Sequence, residues 1–300
     1  MQAVNSTLLD TQYRMRPAIS SFPNDSFYQG ALRDASIVEE RPPPLKSRFL
    51  LPQLAGSSSA ASASELAALD GGANPTSSPT IEGEPFPVSF VAHSSPESTH
   101  RQSLLNRGES DLLITIVGDL LAANPDLVAS DIGIISPYYA QMRLVSNSFS
   151  SGFASARLGR LLGPDRAASV VDVEVNTVDG FQGREKRVVL LSTVRSNKGG
   201  WIGFLNDKRR LNVALTRARD ALIVVGNEQT LRRAAARAAP LRPSHVLRAL
   251  SEAEEEEAEG GIFAAAADPD ADPRIWADFL DWCQERGIVQ RWEAPPTSPA

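Results

Sequence analysis

Four short apolar runs constrain the fold of this chain most: PVSFVAH (87–93), DIGIIS (131–136), RVVLLSTV (187–194) and ALIVVG (221–226). Each is too short for a buried helix and rich in β-branched residues, as strands covered on both faces are. Helical stripes lie between them. ESDLLITIVGDLL (109–121) places apolar pairs at 112/113, 116/117 and 120/121 before Pro125, and Tyr139 to Val145 follows the same period. VVDVEVNTV alternates apolar residues at 171, 173 and 175, which predicts a further strand. Strands alternating with helices form a parallel sheet with helices on both faces, so the class is α/β.

Ligands of such sheets collect in loops beyond the carboxyl ends of strands. Three loops are so placed by this reading: SPYYAQ, DGFQGRE and SNKGG. They offer hydroxyls, an amide, carboxylates, Arg and glycine-flanked backbone N–H groups, an inventory suited to phosphate and sugar. No Ser/His/Asp or Cys/His arrangement is suggested.

The stretch GFLNDKRRLNVALTRARDALIVVG (203–226) adds a packing problem. Leu211, Leu215 and Ala218 recur at i, i+4, i+7, the spacing of an amphipathic helix, with Asn206 or Asp207 placed to cap it. Arg210 and Arg217, seven apart, fall at the edge of its apolar face. Two readings of that position stand: a snorkelling stem with a solvated head, or a fixed cation aimed at an anionic ligand.

Composition narrows the classes. Three hundred residues with 42% hydrophobic content bury a large core; one Cys and three His allow neither a disulfide framework nor a Cys/His zinc site. That predicts a reducing, intracellular location, cytoplasmic or nuclear. No run approaches the roughly 20 apolar residues of a membrane span. The net charge of −6 hides an asymmetry: residues 251–275 hold nine acids against one Arg, so the rest of the chain is +2. Residues 171–220, with ten bases and six acids, are compatible with a nucleic-acid partner.

Four segments now stand together: LLDTQYRMRPAISSFPNDSFYQGAL (8–32), GIISPYYAQ (133–141), NTVDGFQGREKRVVLLSTVR (176–195) and GFLNDKRRLNVALTRARDALIVVGN (203–227). In this order they resemble the C-terminal RecA-like domain, of P-loop NTPase fold, of superfamily 1 helicases of the nonsense-mediated-decay type. The resemblance implies an ATP-dependent motor moving 5′-to-3′ on single-stranded RNA or DNA. It implies that Arg14 and Arg217 reach the γ-phosphate across a cleft, that Tyr13 stacks on adenine, and that Glu185 accepts from the ribose. Gly183 then allows close backbone approach to phosphate, and Gln182 couples the nucleotide cleft to the strand. Ser136, Pro137, Tyr138, Thr177, Asp179 and Arg195 match positions along the nucleic-acid groove. Read from the residues alone, Tyr13 as core packing, Glu185 as a surface ion pair, and Ser136 and Thr177 as turn stabilisers stay open.

The departures are as informative. None of the four lysines (Lys46, Lys186, Lys198, Lys208) follows a glycine, so a Walker A loop, G-x-x-x-x-G-K-[ST], is not in these residues. ATP with its magnesium is then expected on an N-terminal RecA-like partner domain encoded upstream. The alternative is a non-catalytic, helicase-derived scaffold, against which the retained Arg14, Arg217 and Glu185 stand. The expected layout is a RecA-like domain over 1–48 plus 86–239, a Ser/Ala-rich insertion at 49–85, and an acidic linker with a short helical extension at 240–300.

Overall fold

The structure, a computed structural model, describes residues 10–52, 84–238 and 271–293. Most of the Ser/Ala-rich stretch and the acidic run therefore lie outside the described residues. The strands in chain order are β1 (Thr11–Gln12), β2 (Arg33–Asp34), β3 (Val88–Ala92), β4 (Ser98–His100), β5 (Ser103–Leu105), β6 (Ile132–Ile135), β7 (Glu174–Asn176), β8 (Lys186–Ser192), β9 (Ala218–Gly226) and β10 (Val289–Arg291). The helices are α1 (Pro17–Tyr28), α2 (Ser36–Glu39), α3 (Arg107–Ala123), α4 (Tyr139–Ser150), α5 (Phe153–Leu162), α6 (Pro164–Ala168), α7 (Lys208–Leu215), α8 (Glu228–Ala238) and α9 (Arg274–Glu285).

Six strands form one parallel sheet in the order β10-β3-β9-β8-β6-β7. The apolar runs earn their continuity from two cores. Along β9, Ala221, Ile223 and Val225 face one cluster with α3 and α5, while Leu222 and Val224 face the other with α1, α7 and α9. β8 divides likewise, Val188 and Leu190 against Val189 and Leu191. With period two and both faces dry, the strands are apolar nearly throughout, Ser89 in β3 and Asp220 in β9 being among the buried exceptions. The expected RecA-like α/β architecture is the observed one.

Two local expectations are revised. The alternating run 171–175 becomes a strand only at Glu174–Asn176, because its single neighbour β6 is itself four residues long; Ser169–Asp172 instead forms a 3-10 turn that buries Val170. Residues 49–52, assigned to the insertion, begin inside the core, where Phe49 and Leu50 are buried. The C-terminal extension carries a short helix, α9, and also joins the sheet. β10 pairs with β3 through Val289↔Phe90, and α9 buries Trp276, whose Nε1–H donates to the Leu205 carbonyl at 2.8 Å.

One connection matters for function. β7 and β8 run parallel, so residues 177–185 must return from the carboxyl edge of the sheet to its amino edge. Phe181, fully buried against Ile135 and Leu191, pins the crossing to the sheet.

Candidate functional site

The expected site residues separate onto two edges. At the amino edge, Gln12 in β1 shapes the next turn: its Oε1 accepts from the backbone N–H of Arg14 at 3.0 Å and of Met15 at 2.8 Å. Arg14 is thereby aimed at the start of β9. Its Nε donates to Glu185 Oε2 at 2.6 Å and its Nη1 to the Thr216 carbonyl at 3.0 Å. Arg217 approaches the same residue from the other side, Nη2 donating to Thr216 Oγ1 at 3.2 Å, while its Nε donates back to the Val213 carbonyl at 2.9 Å. Asp207 caps α7, as one of the two expected caps, accepting from the N–H groups of Arg209 and Arg210. The helix ends at Leu215, however, so Arg217 occupies the short link into β9 and not the helix edge. A link held by α7 on one side and the sheet on the other fixes a guanidinium more tightly than a helix surface does.

Charge here is under-compensated. Glu185 faces Arg14 and, at 3.9 Å, Arg219. The hydrogen bond from Arg14 is the main influence holding its carboxyl below the usual glutamate range. Burial, then the neighbouring Arg14, lowers the Arg217 guanidinium below its ordinary value, the signature of a partly dehydrated like-charge pair. Beside them opens a hollow of about 470 Å³ lined by Tyr13, Ile37, Glu40, Arg41, Pro42, Glu185 and Arg219. Tyr13 is 68% exposed, so its ring is a wall of this hollow and packs in no core. Gly183 has φ +79°, a conformation that favours glycine, on an exposed turn beside the exposed Gln182. Arg41 and Asp220 also belong to this edge, though no sequence motif marks them. Asp220 anchors Arg16, Arg41 and Arg187 at 3.7, 3.2 and 3.0 Å, and nothing local in RPPP or ARDA announces that hub.

At the carboxyl edge the geometry is closed. Ser136 and Tyr138 are buried, and the Tyr138 hydroxyl donates to the Ile202 carbonyl at 2.9 Å. Arg195, also buried, donates to that hydroxyl at 3.3 Å and to Glu97 Oε2 at 3.1 Å. Each of these three side chains has an internal partner, the Ser136 hydroxyl accepting from the Tyr138 N–H at 3.4 Å. They shape the edge from beneath. Pro137 and Thr177 are half-buried, the Thr177 Oγ1 accepting from Gly180 N–H, while Asp179 is exposed and pairs with Arg210 at 3.2 Å. Deeper still, Glu109 accepts from His93 Nε2 (2.8 Å), from the Ser192 hydroxyl (2.5 Å) and from the Val194 N–H (2.9 Å). Val194 is held at φ +70°, unusual for a β-branched residue. No sequence pattern marks this network, since its members come from three separate segments.

The DGFQGRE loop joins the edges, with Thr177 and Asp179 at one and Gln182, Gly183 and Glu185 at the other. Among the described residues no cluster of three or more His, Cys, Asp or Glu could hold a metal ion, and no helix is long and apolar enough to cross a membrane.

Comparison with known proteins agrees with the motifs. A family model described as an AAA domain matches residues 1–229. The probable helicase MAGATAMA 3 of Arabidopsis thaliana is 35% identical over 229 residues, covering 75% of this chain and 23% of that protein. The Regulator of nonsense transcripts 1 homolog of the same plant is 35% identical over 232 residues (74% and 14%). The ATP-dependent helicase NAM7 of Saccharomyces cerevisiae is 34% identical over 227 residues (75% and 19%). The chain thus spans less than a quarter of the length of these relatives. With QYR, GFQGRE and ALTRAR converging on one edge of a parallel sheet, the chain belongs to this AAA domain family, as a C-terminal RecA-like domain of the superfamily 1, nonsense-mediated-decay type of helicase.

Proposed function

We propose that the chain is the second motor domain of an ATP-dependent helicase acting on single-stranded nucleic acid. The observation that carries this is the convergence of Arg14 and Arg217 on Thr216 beside the Tyr13-lined hollow. Arg14, Arg217 and Arg219 gather around Glu185, with Arg41 beside them paired to Asp220, and the set suits a polyanion brought by a facing domain. ATP and its magnesium would be held by an N-terminal RecA-like domain. Tyr13 would meet the adenine, Glu185 the ribose, and the backbone at Gly183 a phosphate. Arg14 and Arg217 would meet charge developing on the transferred phosphoryl group. A guanidinium already partly dehydrated and fixed loses less on meeting that charge, which is the advantage of a preorganised site.

The other edge would carry the strand. Single-strand binding without base preference needs backbone contacts and ring faces, both available around Pro137, Thr177 and Asp179. The crossing loop 177–185 would transmit opening and closing of the nucleotide cleft to the strand, with Gln182 at its turning point.

The test joins this chain to the upstream segment of its gene and measures ATP hydrolysis with and without single strands. Arg217→Ala is expected to reduce turnover by about 10³–10⁵ with nucleotide affinity largely kept. Wild-type turnover in that variant would overturn the assignment. An extended wild-type protein that binds strands yet never hydrolyses ATP would favour the scaffold.

A further inference from the structure

We propose that the loop Asn197–Trp201 is a stacking platform for an unpaired base, extending the strand path past Phe204. This rests on the single-strand reading above and adds a residue to it. Trp201 is 44% exposed, whereas Trp276 and Trp292 are buried. An exposed indole on a mobile loop would mean little; this one is fixed. The Trp201 backbone N–H donates to Asn197 Oδ1 at 3.0 Å and its carbonyl accepts from Asn197 Nδ2 at 2.8 Å, closing the loop on itself. Helix α8 ties the loop from outside: Arg233 donates to the Lys198 carbonyl at 3.2 Å and Arg237 to the Gly199 carbonyl at 3.1 Å. Gly200, at φ +71°, sits so close to α8 that a Cβ would lie 2.8 Å from that of Arg233. Arg237 also lies 3.8 Å over one face of the Trp201 ring, a cation–π pair.

The platform continues the carboxyl edge. Ile202, next in sequence, accepts from Tyr138, and Phe204, 46% exposed, packs edge-on to Tyr138 at 5.6 Å with Arg210 at 5.8 Å over its face. Two exposed rings, each accompanied by an arginine, therefore mark one edge of the sheet. Rings give a base its face, and stacking of that kind binds single strands irrespective of sequence, with Arg210 already paired to Asp179 and Asp207.

The test uses the full 300-residue chain, a fluorescein-labelled thymidine 15-mer, and an abasic strand of equal length, read by fluorescence anisotropy at low salt. Trp201→Ala is expected to weaken thymidine binding about 5-fold to 100-fold. Trp201→Phe should retain most of the affinity, and the abasic strand should bind wild type and Trp201→Ala alike. Unchanged thymidine binding by Trp201→Ala overturns the platform alone. Equal losses on both strands also overturn it, since the ring would then act through the loop's shape or charge. Polyglutamate that binds wild type and suffers the same loss in the variant would reassign the ring to an acidic polypeptide. Absence of wild-type binding to either strand would reject the platform together with the single-strand reading.

Discussion

The two edges of the sheet treat charge in opposite ways. At the carboxyl edge, Glu109 is wholly buried and accepts from His93, Ser192 and Val194, and Arg195 is shared between Glu97 and Tyr138. Both of these buried charges are answered within the fold. At the amino edge, Glu185 is shared by Arg14 and Arg219, while Arg217 turns to backbone and hydroxyl oxygens for want of a carboxylate. A network satisfied internally holds shape; a network short of anions is completed from outside. The buried network around Glu109 and Arg195 serves stability, and the arginines around Glu185 are left to serve function.

The largest expected effect breaks that contrast at the carboxyl edge. Glu109→Ala strands three buried donors and releases the backbone that Val194 holds at positive φ. It should cost about 3–5 kcal/mol, seen as a lower denaturant midpoint with an unchanged slope. A loss under about 1 kcal/mol would mean that water replaces the carboxylate, and the edge would not be the rigid one.

At the amino edge the same kind of deletion should do little to the fold. Arg217→Met keeps the stem's packing and removes one of two neighbouring cations, so stability should move by less than about 1 kcal/mol, upward if repulsion outweighs the two lost hydrogen bonds. Thermal melts of the isolated chain check this. A drop as large as that of Glu109→Ala would make Arg217 a structural residue, and the turnover test proposed for it would lose its meaning.

How much of this was legible in the sequence follows from the range of the interactions. The runs RVVLLSTV and ALIVVG declare buried strands because both faces must be apolar, and Asp207 declares a cap because it acts three residues away. The pairing of Arg14 with Glu185 spans 171 positions, and only the resemblance brought the two together. β10 escaped because three residues carry too little period to read. The burial of Ser136, Tyr138 and Arg195 was hidden for another reason: a motif fixes which residue stands at an edge, whereas neighbours such as Ile202 and Glu97 decide whether it faces outward.

The smallest expected effect sharpens the comparison most, because it isolates one charge. Glu185→Gln keeps an oxygen that can accept from Arg14 and removes only the negative charge. The folded-state carboxyl titrates below the ordinary value of 4.5, so its contribution is complete above that value and fades as pH falls through the lowered one. Wild type should therefore exceed the variant at neutral pH, and the two melting curves should merge in acid. Glu185 is 43% exposed at its side chain and solvent screens the pair, so the neutral-pH gap should be within about 1 kcal/mol and shrink with added salt. A gap that persists in acid would mean that geometry, not charge, holds Arg14 in place. A gap of several kcal/mol would place Glu185 with Glu109 as a structural carboxylate, and the amino edge would no longer be short of anions.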